Sequence, residues 1–266
     1  MRDLLAKECT PARVRAAWDD GEGHDAALWD HLAGMGVFGM LVPEAAGGLG
    51  GTEVDLVLLL EELGRAAAPG PVLESAAVVA PVLGDAAIIG TAALDGSPYV
   101  PHAHVASVAL VPGGVLRLDY DEDLAFDRGA LAAAAYLVGL GERLIDVAAE
   151  YARQREQYGR PIGVNQAVKH LLADALLKVE FAKPAVYRAA WSVAERAPMR
   201  SRDVSMAKAF ASDAAYRSSR SAMQVHGAIG YTWEADLQLW MKKAWALQRA
   251  WGDATFHRRR VADAVL

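Results

Sequence analysis

Residues 151–174 read YARQREQYGRPIGVNQAVKHLLAD. An Ala-rich helical run carrying Arg153, Arg155 and Gln157 is broken by Gly159, Pro161 and Gly163, and a new helix resumes at Asn165 and Gln166. Arg155 and Gln157 together make a fork of donors suited to a phosphate or pyrophosphate, and Asn165 and Gln166 add amide donors at the positive end of the next helix dipole. The competing reading is an ordinary polar surface.

Moving outward, residues 132–151 are rich in Ala and Leu, and Gly139 and Gly141 allow close approach of neighbouring helices. Residues 165–196 form a second helix with a kink at Pro184, residues 203–225 a third and residues 234–250 a fourth. Long helices joined by short turns pack as a four-helix bundle. The third helix runs into MQVHGAIGYTWEADLQLWMKKAW, residues 223–245. Here Gly227, Ala228 and Gly230 clear side chains from a loop so that a flat ligand or another backbone can approach. Gln224 can hydrogen-bond such a ligand, and Tyr231 and Trp233 can either stack on it or fill the core. His226 alone reads as a buried, satisfied histidine.

The N-terminal zone, 1–83, also reads as helices. Leu4, Leu5, Cys9, Val14 and Trp18 recur at helical spacing, and Asp25 can cap a helix whose Leu28, Leu32 and Met35 share one face. Pro43 and Gly47, Gly48, Gly50 and Gly51 make a loop, after which Thr52 caps a helix with Leu56, Leu59, Leu60 and Leu63 inside. Glu61 and Glu62 read as its solvated face. Between the helical zones, 84–126 holds three short β-type runs, AAIIGTAAL, VASVALV and GVLRLDY, too few to close a barrel. The expected division is therefore 1–83, 84–126 and 127–266, in a mainly α fold.

The chain of 266 residues has a formal net charge of -6, which gives no general attraction to nucleic acid or anionic lipid. One cysteine, Cys9, can form neither an internal disulfide nor a multi-thiolate metal site, so a reducing cytoplasm is the expected compartment. No run of about 20 apolar residues suggests a membrane span. The seven histidines are scattered; even His102 and His104 lack nearby carboxylates. No P-loop, nucleophile elbow or dinucleotide fingerprint is present.

Taken together, Arg155-x-x-Tyr158-Gly159-x-x-Ile162, Lys169-His170-x-Leu172-Ala173-Asp174 and Gln224-x-x-Gly227-Ala228-x-Gly230-Tyr231-Thr232 closely resemble the signatures of the acyl-CoA dehydrogenase family. GMLVPEAAGGLGGTEVDLVLLLEELGRA, residues 39–66, resembles that family's first helical domain, and LWMKKAW followed by WGDATFHRRRVAD resembles its actinobacterial members. The resemblance implies N-terminal helices, a reduced β segment and a C-terminal four-helix bundle, with FAD at a subunit interface. By the same resemblance Arg155, Gln157 and Tyr158 face the pyrophosphate and adenosine of a neighbouring subunit's FAD, with Asn165 and Gln166 close by. Gln224, Val225, Gly227 and Ala228 line the adenine end. The implied reaction is α,β-desaturation of an acyl-CoA thioester, in which a carboxylate takes the α-proton while the β-hydride goes to the flavin.

Three departures shape the expectation. The family's Glu-Gly base position falls on Trp251-Gly252, and its alternative base position falls near Gly129; neither residue is a carboxylate. Asp127 and Asp253 are the nearest weak candidates, each offset by two residues. The family's β-domain and flavin-covering loop are not recognisable between Gly84 and Phe126, and the chain is correspondingly short. The pattern resembles the non-catalytic partner in α2β2 acyl-CoA dehydrogenases of steroid side-chain degradation, in which a second subunit supplies the base. Two alternatives stay open: a stand-alone homo-oligomeric enzyme with an unusual base, and a flavin-free scaffold.

Overall fold

The computed structural model of the chain describes residues 1–19, 23–112 and 120–266. Four helices open it: α1 (Arg2–Glu8), α2 (Pro11–Asp19), α3 (Ala26–Gly34) and α4 (Glu53–Ala66). Short-range caps fix their starts. Asp25 accepts from the Leu28 N–H at 3.0 Å, and the Asp55 carboxylate accepts from the Thr52 N–H and hydroxyl, both at 2.9 Å. The segment after α3 does not continue as a helix. The chain turns at 35–41, so Met35 points outward, 45% exposed, while Phe38 folds back to stack on Trp29 with ring centroids 4.0 Å apart.

A helical run follows, α5 (Val72–Glu74) and α6 (Ala80–Leu83), joined by a π-helical turn at Ser75–Val79. Next comes one parallel pair, β1 (Gly90–Ala92) and β2 (Val108–Leu110), with Gly90 opposite Val108. Two of the three β-type runs of sequence thus supply three residues each. The third, GVLRLDY, lies outside the described residues up to Tyr120. The pair leans on the π turn, where the Ser75 hydroxyl donates to the Gly90 carbonyl at 2.8 Å.

The remainder is the bundle: α7 (Glu122–Gln154), α8 (Gln166–Ala194), α9 (Arg200–His226), α10 (Leu237–Leu247) and α11 (Ala254–Val265). Helices α7, α8 and α9 pack on one another, and the shorter α10 lies against α7 and α9. Helix α4 crosses α7 so closely that the two backbones touch. A Cβ on Gly139 would sit 1.9 Å from the Glu61 carbonyl oxygen, and one on Gly64 would sit 2.2 Å from that of Tyr136. Around this crossing Tyr136 donates to the Ala68 carbonyl and Trp240 to that of Arg65, both at 2.8 Å. Arg65 in turn bridges Glu142 and Asp146 of α7.

Because α4 also packs on α8, the face carrying Glu61 is covered. Glu61 is therefore not part of a solvated face: it is buried and accepts from the Tyr187 hydroxyl at 3.0 Å. Burial pushes its carboxyl up to about 7, against the pull of that hydrogen bond. Glu62 stays nearer the surface and pairs with Arg2.

Two outcomes follow. Gly139→Val forces α4 from α7 at a backbone contact and should cost 1–3 kcal/mol or more, about the usual penalty of overpacking, in urea denaturation. Gly34→Ala, with nothing within 4 Å of the new Cβ, should be neutral or stabilising. A carboxyl with a raised folded-state pKa stabilises most below its unfolded value and loses that contribution as pH rises towards about 7. Glu61→Gln should therefore lose less stability than the wild type between about pH 5 and pH 8. Parallel curves would contradict the assignment.

Candidate functional site

The C-termini of α7 and α9 and the N-terminus of α8 meet at one end of the bundle. Tyr151, near the end of α7, stacks on His226, the last residue of α9, with centroids 4.3 Å apart. His226 is buried, with Nδ1 2.8 Å from the Ala222 carbonyl. This contact brings the two sequence motifs to the same region.

Helix α7 stops at Gln154, so Arg155 and Gln157 sit beyond it instead of on its last turn. Glu156–Gln157 pairs antiparallel with Arg160–Pro161. The hairpin turn is Tyr158-Gly159, both with positive φ (53° and 75°), which matches the right-handed twist of the flanking residues. Tyr158 is thereby held fully in solvent, 101% exposed. Arg155, Gln157, Asn165 and Gln166 are exposed as well, with Asn165 at the N-cap of the 29-residue α8. The Asn165 amide donates to the Ile162 carbonyl at 3.0 Å and that of Gln157 to the Glu156 carbonyl at 2.9 Å, so part of their donor capacity tightens the turns.

On the neighbouring loop Gln224, Gly227 and Ala228 are exposed and Val225 is buried. Gly227 adopts φ 65° and ψ -141°, a conformation open only to glycine. The Trp233 ring is flanked by Arg15 (5.1 Å) and Lys242 (4.8 Å), while Tyr231 is exposed. The exposed donors and the helix N-terminus suit an anionic, elongated ligand lying along the outside of the bundle end.

At the other end of α7 lie the two expected base positions, and they touch. A Cβ on Gly129 would be 2.3 Å from the Trp251 ring, so the indole fills the notch that the missing side chain leaves. Trp251 is 3% exposed and has φ 60°. Its backbone N–H donates to Asp95 Oδ2 at 3.1 Å, and its backbone carbonyl lies 2.8 Å from His257 Nε2. Under the same loop Lys208, fully buried, donates to the carbonyls of Gly252 (3.0 Å) and Gln248 (3.3 Å) and to the Ser212 hydroxyl (3.3 Å). Burial brings its ammonium down to about 7.

The two nearby carboxylates are engaged elsewhere. Asp127 is wholly buried and accepts from Arg200, Ser201 and Arg260 at 3.0, 2.6 and 3.3 Å. Asp253 is exposed and caps α11 through the Phe256 N–H at 2.8 Å.

Sequence reasoning did not single out two further features. A cleft of about 720 Å³ opens between α10, the 92–104 segment and Trp251, and Glu74, Lys243 and His102 line it. The outer face of α8 and α9 forms a groove of about 670 Å³ in which Leu177, Phe181 and Phe210 stand exposed between Asp174, Lys178, Asp213 and Arg217. Spacing of apolar residues on those helices held the second signal, because both helices are apolar on more than their bundle face. No group of three or more metal-ligating side chains occurs among the described residues, and none of their helices is long and apolar enough to cross a membrane.

Comparison with known proteins agrees with this architecture. The acyl-CoA dehydrogenase N-terminal domain matches residues 1–89 and the C-terminal domain residues 122–266. The chain is 31% identical to acyl-CoA dehydrogenase IpdE2 of Mycolicibacterium smegmatis, over 98% of this chain and 95% of that protein. Among solved structures it superimposes on the ChsE4-ChsE5 complex from Mycobacterium tuberculosis with a TM-score of 0.87 and 25% identity, covering 99% of this chain and 94% of that one. It has the same fold as the Tcur3481-Tcur3483 steroid acyl-CoA dehydrogenase, with a TM-score of 0.84 at 24% identity over 99% and 95% of the two chains. With both domains matched in order and a full-length relative at this identity, the chain belongs to the acyl-CoA dehydrogenase family.

Proposed function

We propose that this chain is one subunit of an FAD-dependent acyl-CoA dehydrogenase complex that desaturates an acyl-CoA thioester between its α and β carbons. The base and the flavin-ring site belong to a second acyl-CoA dehydrogenase subunit, in an α2β2 assembly. The observation that carries this reading is the packing of Trp251 into the Gly129 notch, which fills both base positions with one indole that cannot accept a proton.

The residues present fit one end of FAD. Arg155 offers a charged fork, and Gln157, Asn165 and Gln166 offer amides on the same exposed bundle end as the α8 N-terminus. Tyr158, held out by its turn, and Gln224, Val225, Gly227 and Ala228 belong with the adenosine half. Bound FAD supplies the hydride acceptor for the reaction. This chain's residues bind and orient its adenosine-pyrophosphate half. The small β1–β2 pair offers little to enclose a ring within this chain. The exposed apolar groove on α8 and α9 supports a partner helix layer, and its mixed charges suit a specific one. The steroid name of one structural neighbour supports a steroid thioester as substrate, and the two-protein names of both support a partner subunit.

Co-expressed with its partner subunit, the chain should yield a yellow complex. Charge-assisted bonds are worth about 1.5–3 kcal/mol each, so Arg155→Ala with Gln224→Ala should lower FAD retention by about tenfold or more. Full flavin content in that double variant would falsify the roles assigned to these residues. The chain alone, supplied with FAD, an acyl-CoA and an artificial electron acceptor, should show no turnover. Turnover abolished by Asp253→Asn would instead establish a stand-alone enzyme.

A further inference from the structure

The outer face of α8 and α9 leaves large apolar side chains uncovered. Leu177 and Phe181 of α8 stand 57% and 68% exposed, and Phe210 of α9 lines the same groove. Apolar side chains gathered on one face, unlike hydrophobics scattered singly, mark an interaction surface. Four charges frame them: Asp174 and Lys178 on α8, Asp213 and Arg217 on α9.

These charges are spaced for self-recognition. In each helix an acid precedes a base by four residues, about 6 Å along the axis. Arg217 reaches Asp174 at 3.9 Å, so positions 174 and 217 share one level of the antiparallel pair, and 178 and 213 share the next turn. A two-fold axis crossing the face midway, at Leu176 and Ala215, reverses both helices at once. Asp174 then comes opposite Lys178 of the second copy, and Asp213 opposite Arg217 of the second copy. An axis that suits α8 has no need to suit α9, and here one axis suits both. A patch that meets its own copy must be complementary to itself about such an axis, whereas a patch for an unlike chain carries no such constraint. The charges are also available. The Asp174–Arg217 contact is long and its side chains are exposed, Arg258 takes only the Oδ2 oxygen of Asp213, and Lys178 has no ion-pair partner among the described residues.

We propose that this face binds the same face of a second copy of this chain, α8 antiparallel to α8 and α9 to α9, with Leu177, Phe181 and Phe210 in the dry centre. Inside the α2β2 assembly this contact joins the two like chains, a placement that rests on the subunit reading. The self-pairing itself needs neither flavin nor the other subunit. Asp174 lies about 13 Å along α8 from Asn165, so the contact leaves the donor-bearing end of the bundle open.

Sedimentation of the full chain alone tests the contact. The wild type should be a dimer at about 10 µM, and Asp174→Lys and Lys178→Glu, each placing like charges across the axis, should weaken it by about tenfold or more. An equal mixture of the two variants should recover the wild-type affinity to within about threefold, because unlike charges then face each other again. Both positions are exposed, so the far-ultraviolet circular dichroism of either variant should match the wild type. A wild type that stays monomeric at about 100 µM, dimerisation indifferent to both substitutions, or a mixture as weak as its components would overturn the proposal. A monomeric chain whose Phe181→Asp variant loses the unlike subunit on co-expression would assign the face to that subunit, and would overturn it too. Flavin content of the co-expressed complex reports separately on the subunit reading, so each can fail without the other.

Discussion

Helix α7 can be the axis of this fold because it presents no side chain where its neighbours cross it. At Gly139 the Glu61 carbonyl of α4 occupies the place of a Cβ, at Gly129 the Trp251 ring does, and at Gly141 the Val179 side chain of α8 approaches to 3.1 Å. Each neighbour therefore packs at backbone distance, which multiplies dispersion contacts along a helix otherwise rich in alanine. The position of α4 then fixes the chain leading to Glu74, and the position of Trp251 fixes the far wall of the cleft. The packing of Trp251 and the seating of α8 and α9 behind their exposed groove both follow from this one helix.

Trp251, at the expected base position, is built into the surrounding structure. Three elements hold the Trp251 backbone: Asp95 from the β segment, His257 from α11, and Lys208 from α9 through the carbonyls on either side. Burying an ammonium as completely as that of Lys208 is expensive, and leaving a buried member of such a network unsatisfied typically costs about 1–3 kcal/mol. Removing a buried aromatic such as Trp251 costs about 3–5 kcal/mol through the cavity left behind. The loop is thus rigidly specified, and a carboxylate substituted at Trp251 or Gly129 would meet a site shaped for an aromatic ring.

Much of the local structure was legible because its signals are local. The caps by Asp25 and Thr52 each act within three residues, and a break between the first two bundle helices is written in Gly159, Pro161 and Gly163, although the helix already ends at Gln154. The close approaches at Gly139 and Gly141 followed from residue size alone. What stayed hidden depends on distant partners. Glu61 meets Tyr187 across 126 positions and the Trp251 N–H meets Asp95 across 156. Periodicity shows that one face of α4 is apolar, but not that α8 covers the other. Glu74 gave no signal either, since a lone glutamate in an apolar run looks the same whether it faces solvent or a cleft.

The claim at the centre of this account is that the chain completes another subunit's flavin site and has no reactive site of its own. The flavin-to-protein ratio of the assembled complex, measured by native mass spectrometry, tests it most directly. One FAD for each pair of unlike chains, with none retained by this chain alone, is the expected result. Two FAD per pair, or FAD held by this chain in isolation, would contradict it.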